Sequence, residues 1–109
     1  MVYRPIRYEQ MMKAAEGMDV RARRMFDGMA IYSGEKMFAY LVGEEIGLKL
    51  SPPDRDELAN TGGEPMVPSP GAAPMREYMR MPRQVLDNYE DFCGWVQRSA
   101  DYATGAKLH

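Results

Sequence analysis

Residues 24–50 read RMFDGMAIYSGEKMFAYLVGEEIGLKL and contain three apolar segments separated by glycine-marked turns. Residues 25–32 predict a strand in which Gly28 marks a bulge or a close approach of another backbone. Residues 37–42 are apolar on both faces, as expected for a central strand that is covered on each side. Residues 46–50 alternate large apolar side chains with glycine and lysine, which predicts a half-buried strand. Together the three strands predict an antiparallel meander.

The segments on either side of this meander predict helices. Residues 4–18 carry apolar side chains at the spacing of one helical face. These side chains are Tyr8, Met11, Met12, Ala15 and Met18. After the meander, Ser51 and Asp54 predict the N-cap and first turn of a short helix. Gly62 and Gly63 end that helix, because glycine readily adopts the conformation found at helix C-termini.

The last third of the chain predicts two strands and a helix. An extended segment at residues 64–67 is followed by a proline-rich loop and a strand over residues 75–81. We expect the methionines of that strand to face the core and its arginines to face solvent. Pro82 opens the last helix. Helical spacing predicts its buried stripe, which consists of Val85, Leu86, Tyr89, Phe92, Cys93, Val96 and Ala100.

These elements predict a single α+β domain over residues 1–109. Its antiparallel sheet has about five strands and packs with an N-terminal helix, a short middle helix and a C-terminal helix. The composition, 45% hydrophobic and 28% charged, is that of a globular rather than a disordered chain. We expect the scaffold to include Phe26, Phe38, Leu48, Phe92 and Trp95.

The chain offers no residue constellation typical of catalysis, so we expect no enzyme activity and no cofactor. The single histidine, His109, is the last residue, which leaves no internal serine–histidine or cysteine–histidine pair. Cys93 alone cannot supply the roughly four nitrogen or sulfur ligands of a zinc site, and we interpret it as a buried structural thiol with a redox sensor as the alternative.

A lone cysteine fits a reducing compartment. Because no apolar run reaches the roughly 18 residues of a membrane span, the expected location is the cytoplasm, without a membrane partner.

Methionine is frequent, with 11 residues in the chain. Most of these methionines lie at helix or strand spacing, which favours flexible filling of the core. A methionine-lined groove for a partner helix is the functional alternative.

Five short segments carry a family resemblance. They are MFDGMAIY at residues 25–32, GEKMFA at 34–39, LKL at 48–50, GEP at 63–65 and MREY at 75–78. Followed by Pro82 and a helix that contains Trp95, they resemble the TfoX (Sxy) N-terminal domain family over most of the chain. The sequence departs from the family at Asp27, where a second glycine is more frequent.

The resemblance implies an α+β fold similar to that of the YjbR and frataxin-like group. It also implies a regulatory role, because full-length TfoX proteins regulate competence for DNA uptake and act with transcription factors. Those proteins also carry a C-terminal domain, and we expect this chain to be a stand-alone N-terminal domain. An iron-binding acidic ridge is not expected, since Glu9 and Glu16 lie among Arg4, Arg7 and Lys13.

Basic residues are concentrated towards the N-terminus. Residues 1–26 carry six basic and three acidic side chains, whereas residues 27–79 carry four basic and nine acidic ones. This asymmetry favours either an ordinary solvated surface or a basic interaction face. Arginine pairs in bidentate fashion with carboxylate or phosphate groups. The face would draw on Arg4, Arg7, Arg21, Arg23, Arg24, Arg76 and Arg80.

We therefore interpret the chain as a non-enzymatic protein-interaction or regulatory module. Candidate partner-binding residues are Arg23, Arg24, Lys49 and Arg76. The partner is expected to be another protein, with the transcription machinery as one source. Direct nucleic-acid binding through the basic face around Arg21–Arg24 is the alternative, and a homodimer is left open.

Overall fold

The computed structural model describes residues 5–105, so Arg4 and His109 lie outside the described residues. Within them the chain forms four helices and six strands. In chain order these are α1 (Pro5–Ala14), β1 (Val20–Met25), β2 (Gly28–Ser33), β3 (Lys36–Val42), β4 (Glu45–Lys49), α2 (Pro52–Ala59), β5 (Glu64–Met66), β6 (Met75–Arg80), α3 (Arg83–Leu86) and α4 (Tyr89–Thr104). The predicted α+β class and helix placement are confirmed, and the sheet has one strand more than expected.

The extra strand is β1, which lies mostly before the strand that was predicted at residues 25–32, and the two form a hairpin because that predicted strand begins only at Gly28. β1 ends at Met25 and β2 begins at Gly28, so Phe26 and Asp27 form a two-residue turn. Phe26 has a φ of 54°. Two-residue hairpins need a positive φ at their first central residue, because only then does the turn match the twist of the strands. The meander therefore contains four strands, β1 to β4.

Gly28 lies where another backbone comes close, which confirms one of its two predicted roles. A Cβ atom at this position would lie 2.0 Å from the carbonyl oxygen of Leu41 and 2.9 Å from both the Cζ atom and the hydroxyl oxygen of Tyr40. Heavy atoms do not approach that closely without a bond, so a side chain here would push β3 away from β2.

The bulge lies further along, between β2 and β3. Ile31 pairs with Ala39, whereas Tyr32 pairs with Met37, so Phe38 is an extra residue on β3. A bulge interrupts the strict alternation of side chains between the two faces. Phe38 and Ala39 consequently both belong to the same buried cluster.

The sheet has the strand order β1-β2-β3-β4-β6-β5, and every neighbouring pair is antiparallel. The main core lies on one face, where all four helices contribute side chains. Phe38, Leu48, Phe92 and Trp95 are buried there, as predicted. The buried hydroxyl of Ser99 in α4 donates a hydrogen bond to the carbonyl of Phe38 at 2.9 Å, which ties this helix to the sheet. We call the opposite face of the sheet the helix-free face, since no helical residue of the described chain belongs to its apolar cluster.

The first helix is shorter than predicted, because α1 ends at Ala14. Its predicted buried face is confirmed: Met11 and Ala15 are fully buried, and Tyr8, Met12 and Met18 pack partly buried against the main core.

The second helix begins and ends as the sequence predicts. Ser51 is its N-cap, and the Ser51 Oγ accepts a hydrogen bond from the backbone N–H of Asp54 at 3.4 Å. Gly62 follows the helix with a φ of 105°, in the region that favours glycine.

The predicted last helix is two helices. The Asn88 side chain accepts a hydrogen bond from the backbone N–H of Asp91 at 3.1 Å and caps a new helix, α4, after the short α3. Tyr89, which was predicted to be buried, therefore lies in the first turn of α4 and is 43% exposed. Cys93 is only half-buried, although it packs against the main core.

The alternation predicted for residues 75–81 is only partly correct. Met79 and Met81 are buried in the main core. Met75 instead packs with Tyr78 in the cluster of the helix-free face. The register between β5 and β6 shifts between Pro65 and Met66, and this irregularity interrupts the alternation.

Candidate interaction surface on strand β1

Strand β1 is one of the two edges of the sheet, since it pairs with β2 on one side only. Its six residues, VRARRM, include three exposed arginines, Arg21, Arg23 and Arg24. Among the described residues, no ion pair joins an acidic side chain to any of the three. This edge therefore combines an open row of backbone groups with positive charge.

The three arginines lie on both faces of the edge. Arg21 is paired with Tyr32, and the two residues lie on the helix-free face. Arg23 shares that face, since side chains alternate along a strand. The guanidinium carbons of Arg21 and Arg23 lie 6.0 and 5.9 Å from the centre of the Tyr32 ring, at the outer limit of a cation–π contact. Arg24 is paired with Met29, which packs against the main core, so Arg24 lies on the helix side.

Lys49 does not lie near Arg23 and Arg24. It belongs to β4, and three strand spacings place it roughly 14 Å from β1 across the sheet. Its ammonium group lies 3.5 Å from a carboxylate oxygen of Glu77. Arg76 is exposed on β6, one strand further away. The four predicted partner-binding residues thus fall on two separate parts of the sheet.

Two other arginines of the predicted basic face are engaged within the protein. Arg7 donates a hydrogen bond from its Nε to the carbonyl of Glu44 at 3.0 Å. Arg80 forms ion pairs with Glu45, at 3.0 Å, and with Glu64. The basic surface that remains around β1 is consequently smaller than the sequence suggested.

Acidic residues limit the positive surface at both ends of β1. Arg21 lines a shallow depression of about 300 Å³ together with Asp19, Gly34 and Glu35. At the other end, Asp27 occupies the turn into β2. The positive charge is therefore concentrated over the middle of the strand.

Phe26 extends from the tip of the β1–β2 hairpin and is 73% exposed. The prediction that Phe26 is a buried scaffold residue is wrong. Phe26 lies in the turn, where side chains do not follow the alternation of the strands, and its ring is exposed to solvent. A positive φ costs a non-glycine residue roughly 1 kcal/mol or more, and an exposed phenyl ring gains nothing from burial. The Asp27-Gly28 pair is a hairpin signal and indicates a turn in this region, one residue later than the observed turn at Phe26 and Asp27.

Two tyrosines hold the helix-free face together. The fully buried Tyr40 donates a hydrogen bond from its hydroxyl to the carbonyl of Met25 at 2.9 Å, at the end of β1, and lies 3.4 Å from that of Pro68. Tyr78 donates to the carbonyl of Met37 at 3.0 Å. Burial is the main cause that raises the pKa of Tyr78 to about 12 and also raises the pKa of Tyr40. Both hydroxyls stay protonated at neutral pH, where they act as hydrogen-bond donors.

The described residues contain two further concave regions. One, of about 360 Å³, is lined by residues that include Glu45, Arg80 and Arg83. The other, of about 330 Å³, lies between α1 and the start of α4 and is lined by residues that include Ile6 and Tyr89. Within residues 5–105, no group of three His, Cys, Asp or Glu side chains is arranged to hold a metal ion.

Comparison with protein-family models identifies a family for this chain. The family model described as the TfoX N-terminal domain matches residues 11–103, which is most of the chain. The resemblance drawn from the sequence is thereby confirmed. A search of curated proteins finds no significant match. None of the helices in the described part of the chain is long and apolar enough to cross a membrane.

Proposed function

Because this chain belongs to the TfoX N-terminal domain family, we propose that it is a non-enzymatic module that binds another protein through the β1 edge. The observation that carries the proposal is the group of three exposed arginines, Arg21, Arg23 and Arg24, on an open edge strand. Guanidinium groups pair in bidentate fashion with carboxylates. The partner surface is therefore acidic.

The role that fits this binding is regulatory. Full-length TfoX proteins act with transcription factors in competence, and we place the partner of this chain in the transcription machinery of the cytoplasm. The basic edge supports an acidic protein partner of this kind.

Nucleic acid is the second candidate, and one observation favours it. Tyr32 lies between Arg21 and Arg23 on the helix-free face, and an aromatic ring beside basic groups can stack on an unpaired base. This version requires an affinity that falls steeply with salt, by roughly one log unit of the binding constant per log unit of salt for each phosphate contact. A protein partner held by a few ion pairs gives a weaker dependence.

Affinity capture from a native lysate of the source cells tests the proposal. The immobilised chain is compared with Arg23→Glu/Arg24→Glu and with the control Lys49→Glu/Arg76→Glu, both with and without nuclease. Each variant replaces two basic residues by two acidic ones, so that net charge changes equally. We expect proteins that resist nuclease and are lost only from the β1 variant. Equal capture by all three chains would refute the β1 edge as the contact surface, and loss of the captured material on nuclease treatment would support nucleic acid.

A further inference from the structure

We propose that the partner binds β1 as an added strand: an extended acidic segment extends the sheet by hydrogen-bonding to the outer edge of β1. This inference rests on the proposed function and specifies how the β1 edge makes contact. Strand addition to an exposed sheet edge derives affinity from main-chain hydrogen bonds and specificity from alternating side chains.

The register of the hairpin identifies the backbone groups that point outward. Met25 and Gly28 flank the two-residue turn and form a hydrogen-bonded pair, and such pairs alternate along an antiparallel ladder. The N–H and C=O groups of Arg21, Arg23 and Met25 therefore point towards β2. Those of the alternate residues, Val20, Ala22 and Arg24, point to the open side. An added strand would pair with these three.

The side chains of β1 define the chemistry of the segment. On the helix-free face, Arg21 and Arg23 would lie beside alternate side chains of the added strand, and Arg24 would do the same on the helix side. Opposite charges on neighbouring strands are stabilising. Acidic residues of the segment therefore match the middle of β1, while Asp19, Glu35 and Asp27 at its ends disfavour a longer acidic run.

The same charges disfavour a second copy of this chain as the occupant. Antiparallel pairing of β1 with its own copy would place arginines beside arginines, and like charges on directly opposite residues are destabilising. Charge complementarity thus favours an acidic segment of another protein.

Phe26 lies at the turn end of β1 and is the largest exposed apolar side chain next to this edge. Aromatic and arginine side chains are the residue types that dominate binding energy in interfaces. An apolar residue at the corresponding end of the segment would cover the phenyl ring.

A synthetic hexapeptide with blocked ends that alternates glutamate with valine is a suitable probe for the full chain. Binding is measured by fluorescence anisotropy for the wild type, Ala22→Pro and Arg23→Glu/Arg24→Glu. Proline at position 22 removes an outward N–H and spares the groups that bond to β2, in keeping with the tolerance of edge strands for proline. We expect Ala22→Pro to weaken binding at least about tenfold, through the lost hydrogen bond and the ring clash. Circular dichroism shows whether the variant is folded.

N-methylated peptides give a second arm that does not depend on the folding of any variant. In an added strand, every second peptide N–H points towards β1 and the others point away. Methylation of the nitrogens that point towards β1 should abolish binding to the wild type, whereas methylation of the other nitrogens should not. Binding that survives both methylations and Ala22→Pro, but not the arginine substitutions, would overturn strand addition and leave the basic contact surface standing. Unchanged binding to the arginine variant would refute both, and no binding to the wild type would refute an added acidic strand.

Discussion

The two edges of the sheet differ in how they avoid unwanted pairing. The β5 edge is three residues long, contains Pro65 and leads into a proline-rich loop. The β1 edge is six residues long and has no proline, so its only protection is charge. Short strands, proline and charged side chains are all devices that keep sheet edges from pairing. Proline disfavours any incoming strand because it removes a backbone donor, whereas charge disfavours only strands of like charge, so β1 remains open to an acidic strand.

The largest expected effect comes from detaching the β1–β2 hairpin through Gly28→Val. The added Cβ would meet the carbonyl oxygen of Leu41 at 2.0 Å, so we expect a loss of about 3 kcal/mol in the free energy of unfolding. Gly94→Ala is the control, because Gly94 lies inside α4 with nothing within 4 Å of its Cβ position. It should stabilise the protein by about 0.5–1 kcal/mol. Urea titrations measure both, and a Gly28→Val chain as stable as the wild type would contradict the close approach.

The hydroxyl of Tyr40 links the two edges, since it donates to Met25 at the end of β1 and lies near the carbonyl of Pro68 after β5. We expect Tyr40→Phe to cost about 1–2 kcal/mol, because it removes the hydrogen bond that joins this buried side chain to the end of β1. The rate of amide exchange should increase more at the turn end of β1 than in α4. A uniform change across the chain would show that the hydroxyl does not hold this edge locally.

Phe26 sharpens the comparison because its effects on stability and on binding should have opposite signs. Phe26→Gly relieves the positive φ and removes an exposed ring, so we expect a gain of about 0.5–1 kcal/mol in stability. The hexapeptide binds mainly through β1 and should be little affected, whereas a natural partner retained in the capture experiment should bind more weakly. Lower stability of Phe26→Gly in thermal unfolding would contradict the strained turn.

Tyr78 connects β6 to β3 through its hydrogen bond to Met37, and it makes the stability of the folded protein depend on pH in the alkaline range. Its pKa of about 12 in the folded protein lies above the ordinary value of 10.0. The folded state therefore holds its proton more tightly, and this contribution is complete below pH 10.0 and is lost as the pH rises towards about 12. Tyr78→Phe should show a shallower alkaline decline of stability than the wild type, with Tyr102→Phe on α4 as the control. Parallel declines in all three chains would refute the assignment.

The smallest effect on folding should come from Arg21→Ser/Arg23→Ser/Arg24→Ser, because exposed substitutions usually change stability by no more than about 0.5 kcal/mol. The same variant should nevertheless self-associate more than the wild type, since it removes the charge that protects the β1 edge. Sedimentation velocity at matched concentrations measures this. A variant that self-associates no more than the wild type would show that charge is not what protects β1.

Much of the fold could be predicted from the sequence, because helices and strands leave periodic patterns. Ser51 as a cap, the core role of Phe92 and the close approach at Gly28 all follow from local rules. Phe26 could not be placed by apolarity alone, since it follows the apolar Met25 in the sequence but occupies a two-residue turn. Tyr89 was misplaced for a related reason: the cap at Asn88 starts a new helix and changes the phase of the buried stripe.

The candidate surface was predicted only in part. Arg23 and Arg24 do lie on one edge strand, but Lys49 and Arg76 lie on other strands, and no local pattern reports how strands are ordered in a sheet. Strand order depends on contacts between residues that are distant in the chain. The observation that β1 is an edge, on which the proposed function depends, could come only from the structure.

Residue-resolved amide exchange of the full chain, with and without the partner retained after nuclease treatment, tests the central claim most directly. If the partner adds a strand to β1, the outward amides of Val20, Ala22 and Arg24 become slow to exchange on binding, while those of Arg21 and Arg23 are already slow in the free protein. Protection confined to the surface around Ile6 and Tyr89, with unchanged exchange throughout β1, would contradict it.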